Sequence, residues 1–141
     1  MFNKALVPIN ASDLSERVIN ATCRCLNSGM VREAVLLSVW DAGKIDYTKL
    51  HAGDREMVLK ANAQGVLDKY QQQIRQECGC EVSVLRAGGN PADIILDLTE
   101  KGGYDLIIMG SRRLNKVQEL IYGSVSDRVT RISGVPVLII K

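Results

Sequence analysis

Short continuous runs of apolar residues alternate along the chain with longer segments in which apolar residues recur at helical spacing. Runs at residues 6–9, 34–40 and 106–109 are typical of parallel strands that are covered on both faces. The run at 137–140 is a further strand, and the alternating segment 81–85 is typical of a strand nearer an edge. The pattern therefore predicts five strands.

Between these strands, apolar residues recur every three or four positions, as on one face of a helix. The spacing predicts a first helix that Gly29 ends, and three further helices over residues 54–78, 91–101 and 124–133. Ser12 or Asp13 is expected to cap the first of these helices. Because strands alternate with helices throughout, we expect an α/β sandwich with a parallel sheet and right-handed crossovers.

The expected order of the strands predicts where a ligand site lies. In open parallel sheets, ligands bind outside the carboxyl ends of the strands, where the direction of winding reverses. With a strand order of 3-2-1-4-5, this reversal lies between the first and the fourth strand. Those strands end in Pro8-Ile9-Asn10 and Met109-Gly110, so the loops that follow them are predicted to face each other.

The segment after the fourth strand carries the strongest candidate chemistry. Gly110 is predicted to let the backbone turn without a Cβ penalty, and Arg112 and Arg113 follow it. Gly123 and Ser124 precede a predicted helix, whose free N–H groups beside a basic loop form a candidate anion site. The alternative for the same residues is a solvated basic loop followed by an ordinary helix cap.

Composition and charge exclude several classes of function. The 141 residues are expected to form one domain, 1–141, and the net charge of +2 is too small to predict bulk nucleic-acid or membrane-surface binding. No stretch approaches the roughly 20 apolar residues of a membrane span. The N-terminus leads directly into a strand without a signal-cleavage pattern, which favours a cytoplasmic location.

Four cysteines stand as two Cys-x-Cys pairs, Cys23/Cys25 and Cys78/Cys80. This spacing is narrower than the Cys-x2-Cys of zinc sites. Cys25 falls on the apolar face of the first helix, which predicts a small core residue. Cys78-Gly79-Cys80 spans a predicted turn and is a candidate redox pair, although reduced cysteines are the commoner case in a cytosolic protein and are expected here.

Several segments together resemble the universal stress protein family over essentially the whole chain. They include Lys-Ala-Leu-Val-Pro at 4–8 and Gly-Asn-Pro-Ala-Asp-Ile-Ile at 89–95. The most specific are Asp-Leu-Ile-Ile-Met-Gly-Ser at 105–111, Gly-Ser-Val-Ser at 123–126 and Val-Pro-Val-Leu-Ile-Ile at 135–140. The resemblance implies a three-layer, adenine nucleotide α-hydrolase-like sandwich with a five-stranded parallel sheet (order 3-2-1-4-5) and four helices. It also implies a regulatory role in the stress response.

ATP-binding members of that family carry Gly-x2-Gly-x9-Gly-(Ser/Thr). Here Gly110, the spacing and Gly123-Ser124 match, but Arg113 replaces the second glycine. An arginine in a left-handed conformation would cost about 1–2 kcal/mol, whereas a charge-assisted contact to phosphate contributes about 1.5–3 kcal/mol. The two effects are of similar size. Asn10 replaces the aspartate of the family's first loop, and it offers both a donor and an acceptor.

The resemblance thus implies an ATP or AMP site, with or without Mg²⁺, at the carboxyl ends of strands 1 and 4. No tightly bound metal and no catalytic residue is predicted. The predicted nucleotide-binding residues are Pro8, Asn10, Val39, Met109, Gly110, Arg112, Arg113, Gly123, Ser124, Val125 and Ser126.

Three classes of function stay open. The first is the nucleotide-binding regulator, and the second is a nucleotide-free protein of the same fold that acts through protein partners. The third is an enzyme, either a slow ATPase or a Cys78/Cys80 redox protein, although the Walker motif Gly-x4-Gly-Lys-(Ser/Thr) does not occur. Asp41 is a candidate for holding a phosphate-bound metal, with a solvated loop residue as its alternative.

The last strand predicts an assembly. Residues 135–140 carry no charge, and a long apolar strand at a sheet edge invites pairing with another chain. The family resemblance likewise implies dimers that form through this strand. A homodimer is therefore expected.

Overall fold

The computed structural model of the protein describes residues 1–111 and 125–141. The elements are β1 (Phe2–Pro8), α1 (Asp13–Asn27), β2 (Val31–Trp40), a 3₁₀ helix (Ala42–Lys44), α2 (Ala52–Cys78), β3 (Ser83–Gly88), α3 (Pro91–Lys101), β4 (Leu106–Gly110), α4 (Val125–Ile132) and β5 (Val137–Ile140). Within the described residues, no helix combines the length and the apolar character that crossing a membrane requires.

All five strands are parallel and lie in the order β3-β2-β1-β4-β5, as predicted. Helices α1 and α2 pack on one face of the sheet, and α3 and α4 pack on the other, which gives three layers. The winding therefore reverses between β1 and β4.

Alternate residues of β1 supply the two cores. Ala5 and Val7 pack towards α1 and α2, whereas Leu6 packs towards α3 and α4. All three side chains are fully buried. The apolar run in β1 thus reflects a strand covered on both faces.

Two strands begin earlier than their apolar runs predict. β1 starts at Phe2 rather than at residue 6, and β2 starts at Val31 rather than at residue 34. Phe2 pairs with Val31, and Lys4 pairs with Glu33. Backbone pairing therefore extends the strands through polar residues that hydrophobicity alone does not mark.

β3 is displaced towards the C-terminus, from the predicted 81–85 to Ser83–Gly88. Its last pair joins Gly88 to Trp40 of β2. A Cβ at Gly88 would lie 2.1 Å from the Trp40 ring, so the glycine leaves the space that the indole fills. This tight packing holds the end of β3 in register.

Helix ends follow local chemistry. Gly79 ends α2 in the left-handed conformation, at φ 67°, and Asn90 caps α3 by accepting the N–H of Asp93 at 3.1 Å. α2 begins at Ala52, two residues before the predicted start. In the described residues α4 begins at Val125, and the predicted first residue, Ser124, lies outside them.

Candidate functional site

A cavity of about 100 Å³ lies at the carboxyl edge of the sheet, between the ends of β1 and β4. Three strands and the first turns of three helices contribute to its walls. The described lining residues are Pro8, Ile9, Asn10, Ser12, Leu14, Ser15, Val18, Leu37, Val39, Pro91, Ile95, Met109, Gly110, Val125 and Ser126.

The structure brings together the predicted site residues that it describes. The following all line this one cavity: Pro8, Asn10, Val39, Met109, Gly110, Val125 and Ser126. The other predicted residues, Arg112, Arg113, Gly123 and Ser124, lie outside the described residues. The role of the whole set in binding a ligand stays a prediction.

Sequence reasoning missed the wall that α1 contributes. Leu14, Ser15 and Val18 face the cavity from the first turns of this helix. A signal was present, because α1 follows β1 after a short loop and its start must lie at the same edge of the sheet. Ser12 occupies the N-cap position, as predicted, but its side chain makes no capping hydrogen bond.

Asn10 organises the start of α1 in place of that cap. Its Oδ1 accepts the N–H of Ser12 at 2.9 Å and the hydroxyl of Ser15 at 3.1 Å, while its own N–H donates to Ser15 Oγ at 2.9 Å. A backbone N–H can only donate, so the Asn10 atom facing Ser12 is the oxygen. The amide nitrogen Nδ2 therefore points elsewhere, and it has no hydrogen-bond partner within the described part of the chain.

Gly110 serves close packing rather than a turn. Gly110 is not among the glycines that have a positive φ angle, so the expectation that the backbone turns here in a conformation that needs glycine is wrong. A Cβ at this position would lie 2.6 Å from Cδ2 of Leu14 and 3.3 Å from Cγ2 of Val18. The missing side chain thus allows α1 to approach the end of β4, which closes one side of the cavity.

The starts of α1 and α3 lie at the cavity. Ser12 stands at the start of α1, Pro91 at the start of α3 and Val125 at the first described position of α4. Unpaired N–H groups in the first turn of a helix carry partial positive charge. Acidic side chains in the first turns oppose this charge: Asp13 and Glu16 in α1, and Asp93 in α3, which Arg128 pairs with at 2.6 Å.

Ser111 follows Gly110 directly. Its N–H donates to the carbonyl of Ile140 at 2.9 Å, which continues the pairing of β4 with β5. Its hydroxyl oxygen is buried and has no hydrogen-bond partner among residues 1–111 and 125–141. Such an unsatisfied group is uncommon in a folded protein.

One oxygen of the Asp41 carboxylate serves a structural role. Its Oδ1 accepts the N–H of Gly43 at 2.9 Å and caps the 3₁₀ helix. In the part of the chain that the structure describes, no three His, Cys, Asp or Glu side chains are grouped so that they could hold a metal ion. A larger cleft of about 730 Å³, between residues 44–50 and the start of α2, contains none of the predicted site residues.

The cysteines depart from the expected reduced state. Cys23 in α1 and Cys78 at the end of α2 form a disulfide, with their Cα atoms 5.9 Å apart. The packing of the two helices on one face brings together residues 55 positions apart, which neither Cys-x-Cys pair reveals. Cys25 is buried, as predicted, and burial raises the pKa of its thiol. Cys80 is a free, half-buried thiol.

Comparison with known proteins agrees with this architecture. The model of the universal stress protein family matches residues 1–141. Universal stress protein YxiE of Bacillus subtilis is 28% identical over 149 aligned positions, which cover 100% of both chains. The solved structure of the hypothetical protein MJ0577 of Methanocaldococcus jannaschii is 26% identical, with a TM-score of 0.83 over 100% of this chain and 96% of that one.

A third likeness is to the Arabidopsis thaliana universal stress protein family protein At3g01520, solved with AMP bound. It is 22% identical, with a TM-score of 0.71 over 99% of this chain and 91% of that one, and it shows the shared fold alone. The family match extends over the whole chain, and the sheet order, layers and strand ends agree with it. The chain belongs to the universal stress protein family.

Proposed function

We propose that this universal stress protein is a cytoplasmic stress-response regulator that binds an adenine nucleotide, ATP or AMP, in the cavity between the ends of β1 and β4. The observation that supports this proposal most strongly is that the predicted site residues come together in space. Residues from β1, β2, β4 and α4 that the nucleotide-binding pattern implicates line one cavity. AMP bound to the related Arabidopsis protein adds support for the class of ligand.

The chemistry of the walls suits the parts of a nucleotide. Val39, Ile95 and Met109 offer apolar surface for a base. Asn10 Nδ2 supplies a hydrogen-bond donor to a base nitrogen or a ribose oxygen. The start of α3 at Pro91 favours the negative charge of phosphate groups.

The volume of the cavity limits how much of a nucleotide the described residues can enclose by themselves. About 100 Å³ is below the roughly 300–1,000 Å³ of typical ligand pockets. These residues therefore serve the nucleoside, and the phosphate contacts fall to Arg112, Arg113, Gly123 and Ser124 of the sequence pattern. Mg²⁺, when present, accompanies the phosphates.

Two measurements test this proposal. The protein is first heat-denatured after purification, and the released small molecules are identified; adenine nucleotide in near one-to-one amount is expected. Mg·ATP and AMP are then titrated calorimetrically into the nucleotide-free protein. Asn10→Ala is expected to weaken binding about tenfold through loss of one hydrogen bond, and the control Asn62→Ala, an exposed change on α2, leaves affinity unchanged.

Arg113→Gly separates a closed site from a wrong proposal. Binding by this variant but not by the wild type would show that the arginine obstructs an otherwise intact nucleotide site. Absence of binding in both proteins, together with no released nucleotide, would contradict the proposal and favour the nucleotide-free alternative.

We also propose that the protein is a homodimer formed through β5. Val137–Ile140 is an apolar strand whose four residues are only partly buried, and among residues 1–111 and 125–141 it pairs with β4 on one side alone. The carbonyls of Pro136 and Ile140 accept N–H groups of Ile107 and Ser111. Since backbone groups alternate in direction along a strand, the N–H of Ile139 faces the open edge.

Ile139→Pro and Ile139→Ala form a matched test of this dimer. Both lose the packing of the isoleucine, but only proline removes the outward N–H. We expect a dimer mass for the wild type and for Ile139→Ala in sedimentation at micromolar concentration, and a monomer mass for Ile139→Pro. A monomeric wild type would contradict this proposal.

A further inference from the structure

Three of the four cysteines meet where the C-terminal ends of α1 and α2 come together. Cys23 lies in the last turns of α1 and is bonded to Cys78, the last residue of α2. The thiol of Cys80 lies 3.5 Å from Oδ1 of Asn27, the last residue of α1, and 3.6 Å from the carbonyl oxygen of Cys78. A free thiol thus stands between the two helix ends that the disulfide joins.

We propose that this corner is a thiol–disulfide exchange site in which Cys80 is the exchange thiol for the Cys23–Cys78 disulfide. The Cys80 thiol gives its proton to water, and the thiolate attacks Sγ of Cys78. A Cys78–Cys80 bond forms as the Cys23–Cys78 bond breaks, and Cys23 leaves as a thiolate that takes a proton from water. One disulfide replaces another, so the step needs no oxidant.

The chain around Cys80 suits this step. Gly79 ends α2 in the left-handed conformation at φ 67°, which turns the backbone so that Cys80 leaves the helix beside Cys78. Cys25, the other free cysteine, is buried at 7% exposure and stands two positions from Cys23, on a different side of α1. Its raised thiol pKa further lowers its reactivity. Cys25 therefore serves as the internal control.

Once the Cys78–Cys80 bond has formed, Cys80 is a point of contact with thiols in solution. Cys23 is 9% exposed, whereas Cys78 and Cys80 are both half-buried. A low-molecular-weight thiol such as glutathione attacks Sγ of Cys80 in the Cys78–Cys80 disulfide, and Cys78 leaves as a thiolate. A second thiol then attacks the mixed disulfide and frees Cys80. In sum, two external thiols become one disulfide and the protein gains two thiols.

The effect of the exchange is on the attachment of α1. The Cys23–Cys78 bond joins α1 to α2, whereas a Cys78–Cys80 bond lies within one turn of chain. Exchange therefore removes the covalent link between α1 and α2 without loss of a disulfide, and leaves their packing in place. This inference stands on the cysteines alone and does not depend on nucleotide binding.

The main test measures how fast glutathione reduces the disulfide in the full-length oxidised protein. Samples are quenched with acid and alkylated, and the disulfide-linked peptides are quantified by mass spectrometry. Cys80→Ser is expected to slow reduction of the Cys23–Cys78 bond by about tenfold or more, because glutathione must then attack this bond without the intramolecular exchange step. Cys25→Ser is expected to match the wild type.

Cys23→Ser provides a second test that does not depend on rates. Treated with glutathione disulfide, this variant is expected to form the Cys78–Cys80 bond, detected as a loop within one peptide. Equal reduction rates for wild type and Cys80→Ser would overturn the proposal. So would failure of Cys23→Ser to form the Cys78–Cys80 bond, or four free thiols in wild-type protein equilibrated with glutathione disulfide.

Discussion

The two ends of α1 are held in different ways. At its N-terminal end, the helix meets the cavity through the hydrogen bonds of Asn10 with Ser12 and Ser15 and through close packing on Gly110. At its C-terminal end, one covalent bond from Cys23 joins it to α2. The first attachment consists of weak contacts alone, whereas the second adds to such contacts a covalent bond that depends on the redox state of a single pair.

This difference indicates where control over α1 resides. A typical hydrogen bond contributes about 0.5–1.5 kcal/mol, whereas a disulfide typically contributes about 2–4 kcal/mol. A ligand at the cavity can replace individual contacts at the N-terminal end without detaching the helix. Conditions that reduce Cys23–Cys78 remove the stronger attachment, although it lies at the end of the helix away from the cavity.

The largest expected effect on stability comes from the disulfide at the C-terminal end of α1. Reduction of the disulfide is expected to lower the free energy of unfolding by about 2–4 kcal/mol, because the unfolded chain loses a cross-link between residues 55 positions apart. Urea unfolding with and without dithiothreitol measures the difference. Cys78→Ser, which can form neither the Cys23–Cys78 nor the Cys78–Cys80 bond, should match the reduced wild type and should not respond to reductant. A response of Cys78→Ser equal to that of the wild type would contradict this interpretation.

The packing contact at the other end is expected to have a smaller effect. Gly110→Ala places a Cβ 2.6 Å from Cδ2 of Leu14, so we expect destabilisation of about 1–3 kcal/mol. Gly65→Ala is the matched control, since a Cβ there meets nothing within 4 Å and the site is an exposed helix interior. Thermal unfolding should show the control to be more stable by about 1 kcal/mol. If Gly110→Ala and Gly65→Ala changed the stability in the same direction, the result would argue against close packing at Gly110.

Asn10 tests the hydrogen-bonded part of the same end. Asn10→Ala removes the acceptor for the N–H of Ser12, and we expect a loss of about 1 kcal/mol in the free energy of unfolding. Asn10→Asp keeps the acceptor and adds negative charge at a helix start, so its stability should stay near that of the wild type. The aspartate lacks the amide donor, however. Weaker nucleotide binding at unchanged stability would therefore isolate the role of Nδ2.

The fold could be predicted because the buried faces of strands and helices produce a characteristic pattern of apolar residues in the sequence. β4 and β5 lie where their apolar runs predict, and α3 matches its predicted range. The starts of β1 and β2 were missed because backbone pairing continues through polar residues such as Lys4. The hydrophobic pattern indicates which side chains are buried, but it does not indicate where the backbone hydrogen bonds of a strand begin and end.

The site was only partly predictable for a related reason. Topology brought the ends of β1 and β4 together, but the contribution of Ser15 depends on how closely α1 approaches the sheet. The pairing of Cys23 with Cys78 depends on the same packing, between residues remote in sequence. Contacts that two elements create jointly leave no local pattern in either element.

The smallest expected effect lies at the opposite edge of the sheet from the cavity. There the Asp105 carboxylate accepts the N–H groups of Asn3 at 2.8 Å and Lys4 at 2.9 Å, which ties the start of β4 to the start of β1. These two hydrogen bonds hold the pKa of Asp105 below its ordinary value of 3.8. The folded state therefore binds the proton less readily than the unfolded state does.

The sign of the pH dependence follows from this lowered pKa. The contribution of Asp105 to stability is complete above the unfolded value and is lost as the pH falls through the folded value. Asp105→Ala should thus have a slightly lower urea midpoint than the wild type at pH 7, and the effect is small because the carboxylate is exposed to solvent. The two midpoints should converge as the pH falls below the ordinary value of 3.8. Glu100→Ala, an exposed carboxylate on α3, is the control and should lack this convergence. A constant difference between Asp105→Ala and wild type across this range would mean that the aspartate acts through packing rather than through its charge.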